Sequence, residues 1–165
     1  MELFDVYDEN RKALNYTKER GESLKENEYN IGIEAWIFSN NKLLLTKRSP
    51  LKSHPNMWEV PGGCSQTNET STDTLFREMK EEINLSLNNI EYKLLDTVLY
   101  KHQFVDIYYI NTKIDINNIK LQKEEVSDIK LVTKEEMEEM ITNNIIVPSV
   151  VERYNKIKDR INKDF

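Results

Sequence analysis

Glu78, Glu81 and Glu82 are spaced i, i+3, i+4 in a segment of helical periodicity. At about 100° per residue the three carboxylates share one stripe, while Leu75, Phe76, Met79 and Ile83 occupy another. Like charges so placed repel, by roughly 0.2–0.5 kcal/mol per exposed pair. The spacing allows two readings. Either the stripe is a solvated acidic face, or its carboxylates converge on a hard divalent cation, Mg²⁺ or Mn²⁺, which prefers oxygen ligands. Just upstream the chain spends a residue it otherwise avoids. It has four glycines, Gly21, Gly32, Gly62 and Gly63, and two of them stand side by side after Pro61. Unusual backbone geometry or close backbone approach is expected there.

The acidic segment reads as a helix with Ser71, Thr72 and Asp73 as candidate N-caps. Upstream, Ile31–Phe38 reads as a strand, Asn40-Asn41 as a hairpin turn, and Leu43–Thr46 as the returning strand. Residues 49–57, with Pro50 and Pro55, read as a loop, and Trp58–Val60 as a short strand entering Pro61-Gly62-Gly63. Downstream, Tyr92–Tyr100 and Phe104–Ile114 read as strands joined near Lys101-His102, and Ile129–Val132 as another. Thr133-Lys134-Glu135-Glu136 opens a helix, and Pro148 begins a last one with Val151, Tyr154, Ile157 and Ile161 on one side. Residues 1–9 read as an edge strand and 10–29 as a polar loop or arm. The expected class is α+β, a layered α/β/α arrangement with a mixed β-sheet and C-terminal helices. We expect residues 1–29 to pack as a strand and arm on a domain spanning 30–145, and residues 146–165 to supply that domain's C-terminal helix.

At 165 residues, with 38% hydrophobic and 32% charged side chains, the chain can build one core under a charged surface. Asp and Glu outnumber Lys and Arg 29 to 23, for a net charge of -6, which argues against nucleic acid as the main partner. No apolar run approaches the roughly 20 residues that span a bilayer. The acidic start, Met1-Glu2-Leu3-Phe4-Asp5, does not resemble a secretory signal. The lone Cys64 suits a reducing compartment, so the expected location is cytoplasmic.

Written out, the glycine and acidic segments join as Gly63, five residues, Glu69, seven residues, then Arg77-Glu78-Met79-Lys80-Glu81-Glu82-Ile83-Asn84-Leu85. This resembles the Nudix box, G-x5-E-x7-R-E-U-x-E-E-x-G-U, where U is bulky and apolar. Six identity-restricted positions match, which has a chance probability on the order of 10⁻⁷ per start site. Trp58-Glu59-Val60-Pro61-Gly62 is also the usual approach to the box, and the resemblance extends over about residues 30–145. One position departs: Asn84 stands where the box ends on a left-handed glycine, and Asn is the best substitute there.

The resemblance implies a metal-dependent Nudix hydrolase, a pyrophosphohydrolase that splits a nucleoside diphosphate derivative or related small diphosphate by water attack. It implies Glu78, Glu81, Glu82 and the Gly62 carbonyl as ligands for Mg²⁺ or Mn²⁺, and Glu78 or Glu82 as general base. Arg77 would orient a neighbouring carboxylate, while Gly63 and Glu69 would shape the loop and helix. Glu125, with Glu124 as rival, matches the acidic residue that some members place beyond the box as base or extra ligand. Arg48 and Lys47 end a strand where phosphate could be met. Trp36 and Trp58 read as core residues, of which one could border a base-binding slot. His54 and His102 read as surface histidines and Cys64 as inert packing. The partner expected is a small-molecule diphosphate, with no nucleic acid and no membrane, acted on by a monomer or homodimer.

Two other functions compete. The N-terminal arm and the Lys47-Arg48-Ser49-Pro50 loop look like the branch compared with isopentenyl diphosphate isomerase. Those isomerases, however, carry a catalytic cysteine just before the box glycine, where this chain has Gly62. A catalytically inactive Nudix binding module would be expected to have lost box glutamates, and none is lost here. Substrate markers are absent or ambiguous: there is no coenzyme A signature, Leu99 replaces the proline of many ADP-ribose enzymes, and Tyr100 lies near a dinucleoside-polyphosphate marker.

Overall fold

The computed structural model describes residues 1–165. The apolar run Ile31–Phe38 lies within the ten-residue strand Asn30–Ser39, which is covered on both faces, as a strand this apolar requires. In chain order the elements are β1 (Leu3–Tyr7), β2 (Ala13–Glu19), β3 (Asn30–Ser39), β4 (Lys42–Arg48), β5 (Trp58–Glu59), β6 (Gly62–Cys64), α1 (Ser71–Ile83), β7 (Tyr92–Tyr100), β8 (Gln103–Asn111), β9 (Val126–Val132), α2 (Lys134–Thr142) and α3 (Pro148–Ile161). Seven strands form one mixed sheet along the order β5-β4-β3-β8-β7, with β6 added beside β3 and β9 beside β4. The β3–β8 pair is parallel and every other pair in the sheet is antiparallel.

Alternation along β3 divides the core in two. Ile33, Ala35 and Ile37 face Leu75, Met79 and Ile83 of α1. Trp36 and Phe38 face the other way, toward Met137 of α2 and Tyr154, Ile157 and Ile161 of α3. The result is the expected α+β fold with helices on both faces of a mixed sheet. No helix is long and apolar enough to cross a membrane.

The pairing of β3 with β4 explains where a cleft can form. Asn40 and Asn41, with φ of 49° and 63°, make the tight turn, but only Phe38↔Leu43 and Ser39↔Lys42 pair before the strands part. Beyond that point β3 takes β6 as its neighbour at Gly32–Glu34, while β4 takes β5 and β9. The sheet therefore splays open beside Pro61-Gly62-Gly63.

Three local expectations need correction. Residues 10–29 are not only a loop: Ala13–Glu19 pairs with β1 as a hairpin. All but one residue of that strand are exposed, so no buried face marks it in the sequence. The N-cap of α1 is Thr70, not Ser71, Thr72 or Asp73; Asp73 instead closes a capping box with Thr70. Strand β8 ends at Asn111, short of Ile114.

Asn84 does what its position in the box demands. It is left-handed, φ 54° and ψ 34°; its N–H reaches the Lys80 carbonyl at 3.1 Å, and the Leu85 N–H reaches that of Met79 at 2.9 Å. The Asn84–Lys80 bond is that of the left-handed αL cap, built here on Asn. Asn84→Gly should remove the left-handed penalty of about 0.5–1 kcal/mol and raise Tm by roughly 1–4 °C. Scanning calorimetry on the two proteins measures it.

Candidate active site

Helix α1 presents its acidic stripe to the splayed edge of the sheet, and Arg77 organises it. Nε donates to Glu69 Oε1 at 2.6 Å, and Nη2 to Glu69 Oε2 and to the Cys64 carbonyl, both at 3.0 Å. Nη1 donates to Glu78 at 2.9 Å and to Glu81 at 3.1 Å. Glu69 also accepts from the Gln66 N–H at 2.8 Å and the Thr74 hydroxyl at 2.9 Å. Burial works to raise the Glu69 carboxyl, but Arg77 and these donors together hold it below the usual range. One guanidinium thus fastens the loop before α1, the end of β6 and two carboxylates of the helix.

The paired glycines provide room for this close packing. Neither has positive φ, so left-handed geometry is not their reason. A Cβ on Gly63 would stand 2.1 Å from Glu78 Oε1, and one on Gly62 would stand 2.3 Å from the Ile33 carbonyl oxygen. The chain spends glycine where the acidic helix and strand β3 press against β6.

The cleft beside them has a volume of about 470 Å³. Gly62, Gly63, Arg77, Glu78, Glu81 and Glu82 line it, and so do Arg48 and Glu125. Glu124 does not, so of the two downstream candidates only Glu125 faces the site. Glu125 pairs with Lys52 at 2.5 Å; burial tends to raise its carboxyl, and Lys52 together with Arg20 and Arg48 holds it low. Arg48 is engaged bidentately by Glu59 at 2.8 and 2.9 Å. Trp58 is not brought to the cleft. It is buried in the core with Lys130 4.4 Å from its ring centre, and Trp36 is buried against Tyr154. Cys64 is not core packing either: it is exposed on the cleft wall, where the Gln103 amide donates to its sulfur at 3.1 Å. His54 lines the cleft, while the His102 ring contacts the Glu28 carbonyl.

Glu82 is the electrostatic outlier. It is buried, makes no ion pair and faces the charge of Glu78; burial first, then Glu78, pushes its carboxyl up to about 8. Burial also raises Glu78, against the pull of Arg77. Such an all-oxygen set, with a buried carboxyl that no protein cation pairs, suits a hard divalent cation in donor chemistry. Arg77 holds Glu78 and Glu81, and no three His, Cys, Asp or Glu side chains are gathered closely enough to enclose an ion.

The sequence reading did not single out Glu34 and Arg153, a buried ion pair on the cleft wall linking β3 to α3. Trp36 Nε1 donates to the other Glu34 oxygen at 3.2 Å. The usable signal was a carboxylate in the middle of an apolar strand and an arginine on the apolar side of the last helix, since neither is buried without a partner.

The Glu82 shift has a definite sign in stability. A carboxyl raised from an ordinary 4.5 to about 8 is protonated in the folded state while the unfolded chain is already ionised. Between those values the unfolded state binds fewer protons, so metal-free stability falls as pH rises. In chemical denaturation, the wild type should lose a few kcal/mol more between pH 5 and pH 8.5 than Glu82→Gln does. Parallel pH profiles for the two proteins would refute the assignment.

Comparison with known proteins identifies the family and the fold. Residues 28–152 match the model of the NUDIX domain family. An uncharacterised Nudix hydrolase of Listeria monocytogenes is 32% identical over 151 residues, covering 90% of this chain and 89% of the relative. A protein of Deinococcus radiodurans shares the fold with a TM-score of 0.75 at 21% identity, over 88% of this chain and 92% of that one. The NUDIX domain of Shewanella oneidensis NrtR, solved in complex with ADP ribose, does so with a TM-score of 0.66 at 17% identity, over 89% and 94%. With a family match across most of its length and a full-length relative above 30% identity, the chain belongs to the Nudix hydrolase family.

Proposed function

We propose that this Nudix hydrolase cleaves the pyrophosphate bond of a nucleoside diphosphate derivative or related small diphosphate, with Mg²⁺ or Mn²⁺ held by Glu78, Glu81, Glu82 and the Gly62 carbonyl. The observation that carries the proposal is Glu82, a buried carboxylate without an ion-pair partner, next to Glu78 on one helical stripe that lines a cleft of small-molecule size. The bound cation would neutralise phosphate oxygens and lower the pKa of water. Water attacks one phosphorus, the bridging P–O bond breaks, and the water proton passes to a carboxylate. Glu78 or Glu82 is the acceptor, while Lys52 keeps Glu125 a weaker base. Arg77 orients Glu78 and Glu81, and Glu69 holds Arg77. The ADP-ribose bound by the Shewanella domain makes that compound a reasonable first member of a substrate panel. The single cysteine and the absence of a membrane-spanning helix are compatible with action in the cytoplasm, as a monomer or homodimer.

A panel of nucleotide diphosphate substrates, read by phosphate release or mass with and without Mn²⁺, tests the reading. Hydrolysis should require the metal, and calorimetry should detect Mn²⁺ binding that weakens in Glu82→Gln. The same variant should turn over at least about 10²-fold more slowly, the usual loss for a missing base or ligand. Unchanged turnover in Glu82→Gln, or no Mn²⁺ binding at millimolar concentration, would remove the carboxylate stripe from the mechanism.

A further inference from the structure

Part of the cleft wall comes from the N-terminus, outside the box and its sheet. The β1–β2 hairpin reaches the cleft through Arg20 and Glu2. Its placement is specified by bonds to the elements that carry the site. Arg11 clamps the buried Asp106 of β8 with two bonds of 2.6 and 2.7 Å. Asp5 accepts from the Thr67 hydroxyl at 2.8 Å and the Asn68 N–H at 2.9 Å, and the Leu3 carbonyl accepts from the Thr67 N–H at 2.9 Å. Thr67 and Asn68 belong to the same loop as Glu69, the partner of Arg77. The hairpin is therefore braced against the loop that shapes the box.

The cations around the cleft differ in how firmly they are held. Arg48, Lys52, Arg77 and Arg153 all sit in ion pairs whose side chains are at least 70% shielded, Glu81 excepted. Lys101 also lines the cleft and makes no ion pair, its Nζ standing 5.3 Å from the Tyr100 ring centre. Arg20 is held by a single ion pair, with Glu2 at 2.8 Å, and the two side chains are 60% and 47% exposed. An exposed pair of this kind contributes little and is readily exchanged for another anion. Arg20 also lies near enough to the reaction centre for its charge to act on Glu78, Glu125 and Cys64. A diphosphate entering the cleft carries oxygens that match the guanidinium fork better than one flexible carboxylate does.

We propose that Arg20 is a substrate-positioning residue: its guanidinium leaves Glu2 and takes phosphate oxygens of the incoming diphosphate, so that the N-terminal hairpin forms a working wall of the active site. Glu2 is then a displaceable internal competitor. The inference rests on reading the cleft as a diphosphate site, and its test separates the two.

The probe is α,β-methylene-ADP, which keeps the diphosphate charge and resists cleavage, titrated calorimetrically into the wild type, Arg20→Ala, Arg20→Lys and Glu2→Gln in the presence of Mn²⁺. KM and kcat follow on whichever panel substrate the wild type hydrolyses. Arg20→Ala should raise Kd and KM about ten-fold or more, the scale of a lost hydrogen bond between charged groups, with kcat within about three-fold. Arg20→Lys should recover part of the loss. Glu2→Gln should shift Kd and KM the other way, tightening binding by up to about five-fold, since it removes only an exposed ion pair. A purely structural role for the pair would make both variants worse, and a Tm on each sample registers any damage to the fold. Kd and KM within two-fold of wild type in both Arg20→Ala and Glu2→Gln would overturn the proposal, as would weaker binding in Glu2→Gln. A wild type that binds the analogue but hydrolyses no diphosphate would defeat the hydrolase reading, and the Kd values would still decide on Arg20. A wild type that fails to bind the analogue at millimolar concentration would overturn both.

Discussion

Arg77 commits all three nitrogens of its guanidinium to four groups: two carboxylates on its own helix, a third in the loop before it, and a backbone carbonyl at the end of β6. The sequence places three acids on one helical stripe, and the fold then partly buries that stripe. Repulsion that is small on an exposed helix grows when water is withdrawn, because the local dielectric falls. A planar, permanently charged group with five donors can answer several carboxylates at once, which an ammonium cannot do in fixed geometry. The contacts also raise the proton affinity of Arg77, chiefly through Glu69, so the guanidinium stays charged throughout. The loop conformation, the approach of β6 to the helix and the orientation of Glu78 and Glu81 all depend on this one side chain. Glu82 lies outside its reach, and that separation divides the stripe into a compensated part and an uncompensated one.

The sheet determines where that arrangement can meet a ligand. If β3 and β4 stayed paired along their length, the carboxylates would face a closed surface. They part after two residue pairs because β6 takes the place beside β3, and it can come that near because Gly62 has no side chain to strike the Ile33 carbonyl. On the opposite face, the Glu34–Arg153 pair spans 119 positions of sequence and ties α3 to the cleft wall. Breaking such a buried pair by removing one partner leaves an uncompensated charge, which makes the C-terminal helix part of the site's support as well as of the core.

What the sequence disclosed follows the range of the interactions involved. The box glutamates, Arg77, Gly63 and the left-handed Asn84 were legible because helical period, capping and close approach act within a few turns of chain. Glu125 was separable from Glu124 only in three dimensions, since neighbours on a turn point in different directions. Trp58 was offered as a possible slot for a base, yet it is covered, because β5 brings Ile146 beside it and Lys130 over its ring. The strand Ala13–Glu19 left no trace because all but one of its residues are exposed, and its order comes from backbone bonds to β1 and from Tyr16 and Lys18 bonding the distant Glu28. Glu34 with Arg153 and Arg11 with Asp106 are pairings across the fold: a charge at an apolar position marks Glu34 and Arg153 as needing partners, but local sequence does not say which partners they find. Cys64 was read by residue type as packing, and the edge position of its strand beside the cleft overrode that expectation.

The contact between Gly63 and Glu78 has a consequence for how this sequence can change. The space a Cβ would need at Gly63 is filled by the Glu78 carboxylate itself, with its Cδ at 2.2 Å and both oxygens within 2.7 Å. The two positions are therefore not independent traits, and their substitutions cannot combine additively. With Glu78 in place, any replacement of Gly63 displaces the carboxylate or the strand. Once Glu78 is shortened, the constraint on Gly63 loosens. A descendant that gains a side chain at position 63 while keeping Glu78 must turn that carboxylate out of its place beside Arg77, so the glycine guards the orientation of the acid.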